Sequence, residues 1–222
     1  IMNYSWDWKA LSNCAMLAAQ KSQNAQQMAD HINANCAELY GNIPTDDTTV
    51  AVARVMEEKI ISILTGPPAD KADDYKMVEA FMEHDGIKIV CGGSTSHMVA
   101  RILNKRLVPV DDRLDPEIPP TSKIEGIDLV TEGVLTLHKA VDLLERYADN
   151  DVSDDFFLEL SRDNGATRIV IYFMEDCSTV HLYIGKAVNL DYTDKALPFE
   201  ISARQSLTQR LIAVLEKMNK KV

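Results

Sequence analysis

The sequence lacks any long apolar run. Nowhere do about 18 hydrophobic residues follow one another, as a membrane-crossing helix needs, and no basic stretch followed by an apolar segment reads as a leader. Secretion and membrane insertion lack support, and the cytoplasm is the expected compartment. Cysteine is sparse: Cys14, Cys36, Cys91 and Cys177 form no C-x-x-C pair, which argues against zinc-ribbon or thioredoxin-like chemistry and for buried thiols. Basic residues are outnumbered, 23 against 34 acidic, giving a net charge of −11. Such a chain repels nucleic acid and anionic membranes unless a basic patch intervenes, and the sequence shows none. The G-x-G-x-x-G fingerprint and the P-loop lysine are missing as well. No repeat of fixed period and no low-complexity stretch is visible.

What is present is an ordinary globular composition of 222 residues, 46% hydrophobic and 26% charged, enough for one large or two small domains with a real core. One grammar recurs, an apolar strand followed by a glycine turn. It is clearest in Ile87-Lys88-Ile89-Val90-Cys91-Gly92-Gly93-Ser94-Thr95, where helical spacing then sets in. It returns at Ile60–Pro68, at Ile127–Gly133 and at Thr179–Gly185. A helix that opens at such a turn leaves backbone N–H groups unpaired and suits an anion.

Taken in order, Asn3 to Tyr40 reads as helix with a break near Ser22 and Asn24, stopped by Gly41. Val50 to Val55 alternates like a strand, with Asp46 and Asp47 at its entrance. A second domain starts near Glu57 with strand 60–64, a helix through Asp73 to Met82, strand 87–91 and a helix to Leu103. A segment rich in proline and acids follows from Arg106 to Glu125, with a short edge strand at Leu107–Val110. Strand 127–130 leads into a helix carrying Val134, Leu137, Val141 and Leu144. A short helix over Phe156–Leu160 is stopped by Asn164-Gly165, and 167–174 reads as a strand by its β-branching. Strand 179–184, a loop from Leu190 to Pro198 and an amphipathic helix from Leu207 to Met218 complete the chain.

The Asp46-Asp47-Thr48-Thr49-Val50 stretch behind its helices, followed by Thr65-Gly66-Pro67-Pro68, Cys91-Gly92-Gly93-Ser94-Thr95 and Ile124–Gly133, resembles the C-terminal part of bacterial proteins of the stage II sporulation protein E family. Those proteins are similar to metal-dependent type 2C serine/threonine phosphatases. The resemblance implies an α/β fold in which residues 1 to about 57 are the helical-plus-strand tail of a phosphatase-type domain. The rest, residues 58–222, would then be a further α/β domain attached to it, and its strand–glycine–helix units read as a Rossmann-like parallel sheet with helices on both faces. It implies that Asp46, with Asp47 as the weaker candidate, contributes to a dinuclear Mn²⁺ or Mg²⁺ site in a parent protein that acts on a phosphoprotein. The family's Asp-Gly-x-Gly and Ser-Asp-Gly turns do not occur here, so this chain alone is expected neither to hold the metals tightly nor to hydrolyse phosphoesters.

If the strands are parallel neighbours, Thr65, Gly66, Gly92, Gly93, Ser94, Thr95, Thr131, Glu132 and Gly133 line one edge of the sheet as a ligand crevice. An anion is expected at Gly93–Thr95. Glu132 either orients a hydroxyl or a cation, or is a favourable charge at a helix start. Cys91, His97, His138 and His181 read as packing or surface residues. Two functional readings stand: a phosphatase-family fragment, and a stand-alone α/β domain that binds a phosphorylated metabolite or nucleotide. Unpaired strand 50–55 should seek a partner in the second domain or in another copy of the chain, making a homo-oligomer.

Overall fold

The computed structural model describes residues 7–21, 25–43, 47–55, 57–110, 117–175, 177–187 and 197–222, with the side chains of 197–204 excepted. Asp46, Ser22, Asn24 and the expected loop at 190–196 lie outside the described residues. The chain separates into two compact units, Ile1–Glu57 and Glu58–Val222.

In the first unit, helices α1 (Trp8–Lys21) and α2 (Ala25–Leu39) are joined through a small core of Ala18, Ile32 and Cys36. Gly41 ends the second helix at φ +62°, a left-handed conformation that a residue with a Cβ adopts at a cost. Val50 and Val52 are half-buried against this core, while Ala51, Ala53 and Val55 are exposed. The alternation expected of a strand is therefore real, but residues 47–55 form no strand. A single extended segment has no ladder without a neighbouring strand, and the described residues of its own unit include none.

The second unit is α/β, built on a mixed six-stranded sheet. Its strands are β1 (Ile60–Thr65), β2 (Ile87–Cys91), β3 (Val108–Pro109), β4 (Ser122–Lys123), β5 (Leu129–Thr131) and β6 (Thr179–Ile184), in the spatial order β3-β4-β5-β2-β1-β6. The four on the β6 side are parallel. The expected all-parallel sheet is corrected at its other edge, where two-residue β3 and β4 run antiparallel and place Pro109 on an edge strand, as its missing N–H requires. Strand β5 begins at Leu129, not Ile127. Just before it the Asp128 carboxylate takes over, accepting the Lys88 N–H at 2.7 Å.

Alternate strand residues feed two cores. Ile61, Ile63, Ile89, Cys91, Leu129 and Val180 meet α5 (Val134–Ala148), α6 (Asp154–Leu160), α7 (Gly165–Glu175) and α8 (Leu197–Lys217). Leu64, Val90 and Val130 meet α3 (Asp74–Met82) and α4 (Gly93–Leu103). The period-2 alternation puts these two sets on opposite faces of the sheet.

Helix α7 corrects the strand expected at 167–174. Asn164, expected to stop one helix, starts the next: its side-chain oxygen accepts the N–H groups of Ala166 at 2.9 Å and Thr167 at 3.0 Å. Ala166, Ile169, Val170 and Phe173 are then buried at helical spacing. The cap and the core outweigh the modest β preference of the branched residues.

Candidate functional site

Because β5, β2 and β1 are parallel neighbours, their carboxyl ends open on one edge, and the turns after them are tied together. The Gly92 N–H donates to the Thr131 carbonyl at 2.9 Å, and the Gly66 N–H donates to Thr95 Oγ1 at 2.9 Å. The Gly185 N–H donates to the Thr65 carbonyl at 2.9 Å, which brings the end of β6 to the same edge. Gly92 has φ +113°, and a Cβ on it would come within 3.1 Å of Thr95 Oγ1. Glycine is thus needed where α4 opens against β1.

All of the expected crevice residues fall on this edge, but they do not share one surface. Thr95 and Thr131 are buried, with the Thr95 hydroxyl engaged by Gly66. Glu132 is exposed, and its carboxylate stands beside Gly93, 3.4 Å from where a Cβ would sit. The first turn of α4 already has a carboxylate on that flank, so Gly93–Thr95 is not the open anion cradle expected. Thr65, Gly66, Gly92 and Gly133 shape the turns through their backbone, and only Ser94 reaches the open cavity described next. Burial pushes the Cys91 thiol up to about 11, so it stays protonated and is no nucleophile near neutral pH.

That cavity lies on the other flank of α4. Its volume is about 1060 Å³, and its walls are Pro67, Pro68 and Ala69 after β1, Lys71 in the 3-10 turn Lys71–Asp73, Asp74 at the first position of α3, the α4 side chains, and Lys186 and Ala187 after β6. The α4 contribution is Ser94, His97, Met98 and Arg101, an i, i+3, i+4, i+7 stripe about 10 Å long. The Arg101 guanidinium pairs with the buried Asp74 carboxylate. Sequence reading set His97 aside as a surface or packing residue and passed over Arg101, Lys71 and Lys186. The stripe spacing was there to be seen; what was not visible is that two other loops fold down beside it.

Of the expected metal ligands, Asp46 lies outside the described residues. Asp47 is exposed, and among the described residues no group of three or more His, Cys, Asp or Glu side chains is placed to hold a metal ion. The described donors do not fit a two-metal centre.

A second polar cluster sits at the opposite edge of the sheet. The rings of His84 and His181 meet edge to face with centroids 4.3 Å apart, and His181 Nδ1 is buried without a hydrogen-bond partner. Lys88, buried on β2, donates to the His84 carbonyl. Burial, then His84, lowers the His181 pKa from 6.5; Lys88 and Lys221 push the same way and Glu58 opposes them. A histidine whose pKa is lower in the folded state takes up its proton first in the unfolded state. Its neutral form supports the fold fully above about pH 6.5, and that support is lost as pH falls from there through the folded value. Urea unfolding at about pH 7.5 and about pH 5.5 should show lower stability at the acid end. His181→Gln should shrink the difference; an unchanged difference would remove His181 as its source.

No helix among the described residues is long and apolar enough to cross a membrane. No family model matches the chain, and comparison with curated proteins and with solved structures finds no match either.

Proposed function

We propose that residues 58–222 form a Rossmann-like, doubly wound domain that binds a small phosphorylated metabolite or nucleotide in the cavity beside α4. The connections from β1 to β2 to β5 step in one direction across the sheet, and β6 then lies on the far side of β1. Open α/β sheets bind ligands where strand order reverses in this way, outside the carboxyl ends. The observation that carries the reading is local charge. On a chain of net charge −11, this cavity sets Lys71, Arg101 and Lys186 against a single carboxylate, Asp74. Such an excess of cations in a concave, partly apolar site favours an anion, and its size suits a metabolite. Calorimetry with ribose 5-phosphate, adenosine monophosphate and inorganic phosphate tests it. Arg101→Gln combined with Lys186→Gln should weaken binding by about tenfold or more. Absence of binding across the panel at about 1 mM ligand would overturn the reading.

A second reading keeps the resemblance to the sporulation-phosphatase family, with the first unit as the tail of a type 2C-like domain in a longer protein. The extended segment 47–55 favours it, since Val50 and Val52 pack on the core of their own unit while Ala51 and Ala53 alternate outward, with no second strand among the described residues of that unit. Such a segment is competent to join a larger sheet. On this reading the metals and the phosphoprotein substrate belong to the longer protein. The chain itself should then give no Mn²⁺-dependent turnover of p-nitrophenyl phosphate. Turnover abolished by Asp46→Ala would show that the domain boundary is misplaced.

A further inference from the structure

One part of the cavity beside α4 offers a ligand few hydrogen bonds. Pro67 and Pro68, half-buried after β1, carry no N–H groups, and no polar side chain projects from them or from Ala69. The Pro67 carbonyl accepts the Ala187 N–H at 3.0 Å, which engages that acceptor and that donor with each other. Met98, only 4% exposed, adds apolar surface from α4. The rest of the cavity has the opposite character. Arg101 follows Met98 by three positions on the α4 stripe, about 4.5 Å along the helix axis. Its guanidinium donates through one nitrogen, Nη2, to the buried Asp74 carboxylate, while the side chain as a whole stays 61% exposed. A guanidinium carries five N–H donors in a planar fork, so one bond to Asp74 steadies the fork and leaves the others to meet an anion. Lys71 and Lys186 add positive charge to the same cavity. These side chains set the cationic end, and the first turn of α4, flanked by Glu132, has no part in it.

Resting on the phosphate-binding reading above, we propose that the ligand is a nucleotide rather than a sugar phosphate. Its phosphate is held by Arg101 with Lys71 and Lys186, and its base lies against Pro67, Pro68 and Met98. Sugar hydroxyls set against the proline segment would give up water and gain no partner, which is unfavourable. A planar base presents an apolar face that needs no partner there, and methionine sulfur packs well on aromatic rings. The pentose between base and phosphate spans the single helical turn that separates Met98 from Arg101.

The test is calorimetry on the full chain with adenosine monophosphate, ribose 5-phosphate, adenosine and inorganic phosphate. Adenosine monophosphate should bind about tenfold or more tighter than each of the other three. Pro68→Ser restores a backbone N–H and adds a hydroxyl, so affinity for adenosine monophosphate should fall about threefold to tenfold while that for ribose 5-phosphate holds or rises. Arg101→Gln should weaken both phosphates by similar factors. Ala69→Ser keeps both prolines and should act in the same direction as Pro68→Ser; it decides the matter if thermal melting shows the proline variant unfolded. Ribose 5-phosphate binding as tightly as adenosine monophosphate, or equal losses for both in the serine variants, overturns this inference while phosphate binding stands. Adenosine binding as tightly as its monophosphate, or failure of every compound to bind, overturns the underlying reading and this inference with it.

Discussion

Gly185→Ala is expected to abolish stable folding of the larger unit. A Cβ at this position would stand 2.0 Å from the Pro67 carbonyl oxygen and 2.1 Å from that of Gly66. Both obstacles are backbone, so no side chain can swing aside. Nor can the two segments part freely, because Gly185 N–H to Thr65 at 2.9 Å and Ala187 N–H to Pro67 at 3.0 Å bind them together at the end of the β1–β6 ladder. Relief requires breaking these bonds and fraying the ladder, a loss of more than about 4 kcal/mol. Against a typical domain stability of about 5–15 kcal/mol, the variant should be poorly soluble or melt far below the parent. Gly126→Ala is the control: at φ +89° with nothing within 4 Å, it bears only the conformational penalty of about 1 kcal/mol. A Gly185→Ala protein melting within about 5 °C of the parent would show that the turns after β1 and β6 do not meet this closely.

Phe173→Ala should be nearly as damaging. The ring is fully buried between α7 and the sheet, and truncating such a side chain leaves a cavity costing about 3–5 kcal/mol. Its neighbours turn this into a test of local conformation. In a strand, Ile169, Ile171 and Phe173 would share the inner face; in the helix, Ile169, Val170 and Phe173 do, and Ile171 is half-buried. Chemical denaturation of Ile169→Ala and Ile171→Ala should therefore show the larger loss at 169. Equal losses would favour the extended conformation.

These same residues show how far the sequence could be read. Strands β1, β2 and β6 were legible almost to the residue, because each is a β-branched run closed by a glycine whose place the turn demands. Segment 167–174 has the same composition and is a helix, since the deciding interactions are a cap by Asn164 and a core that no window of eight residues contains. Val50 to Val55 shows the reverse case, correct alternation without a partner to complete the ladder. The candidate site was legible as an edge but not as a cavity. Glycine turns revealed where strands end, whereas the cation-rich wall depends on Asp74 meeting Arg101, 27 residues away, and on Lys186 arriving from the far side of β1.

The place of β6 also sets an order of events. Strand β1 is the first strand of its unit, yet one of its edges is filled only by β6, which follows it at a separation of about 119 residues, as in the bond from the Lys59 N–H to Ser178. Local pairs such as β1 with β2 can close early, while a pairing across so long a stretch of chain is slow. During synthesis the inner strand of the sheet therefore waits with its backbone open, a period in which chaperone binding or pairing with a neighbouring chain competes with folding. The wall that Lys186 gives to the cavity arrives with β6, so a nascent chain gains the complete cavity only once that strand and the turn after it have been made.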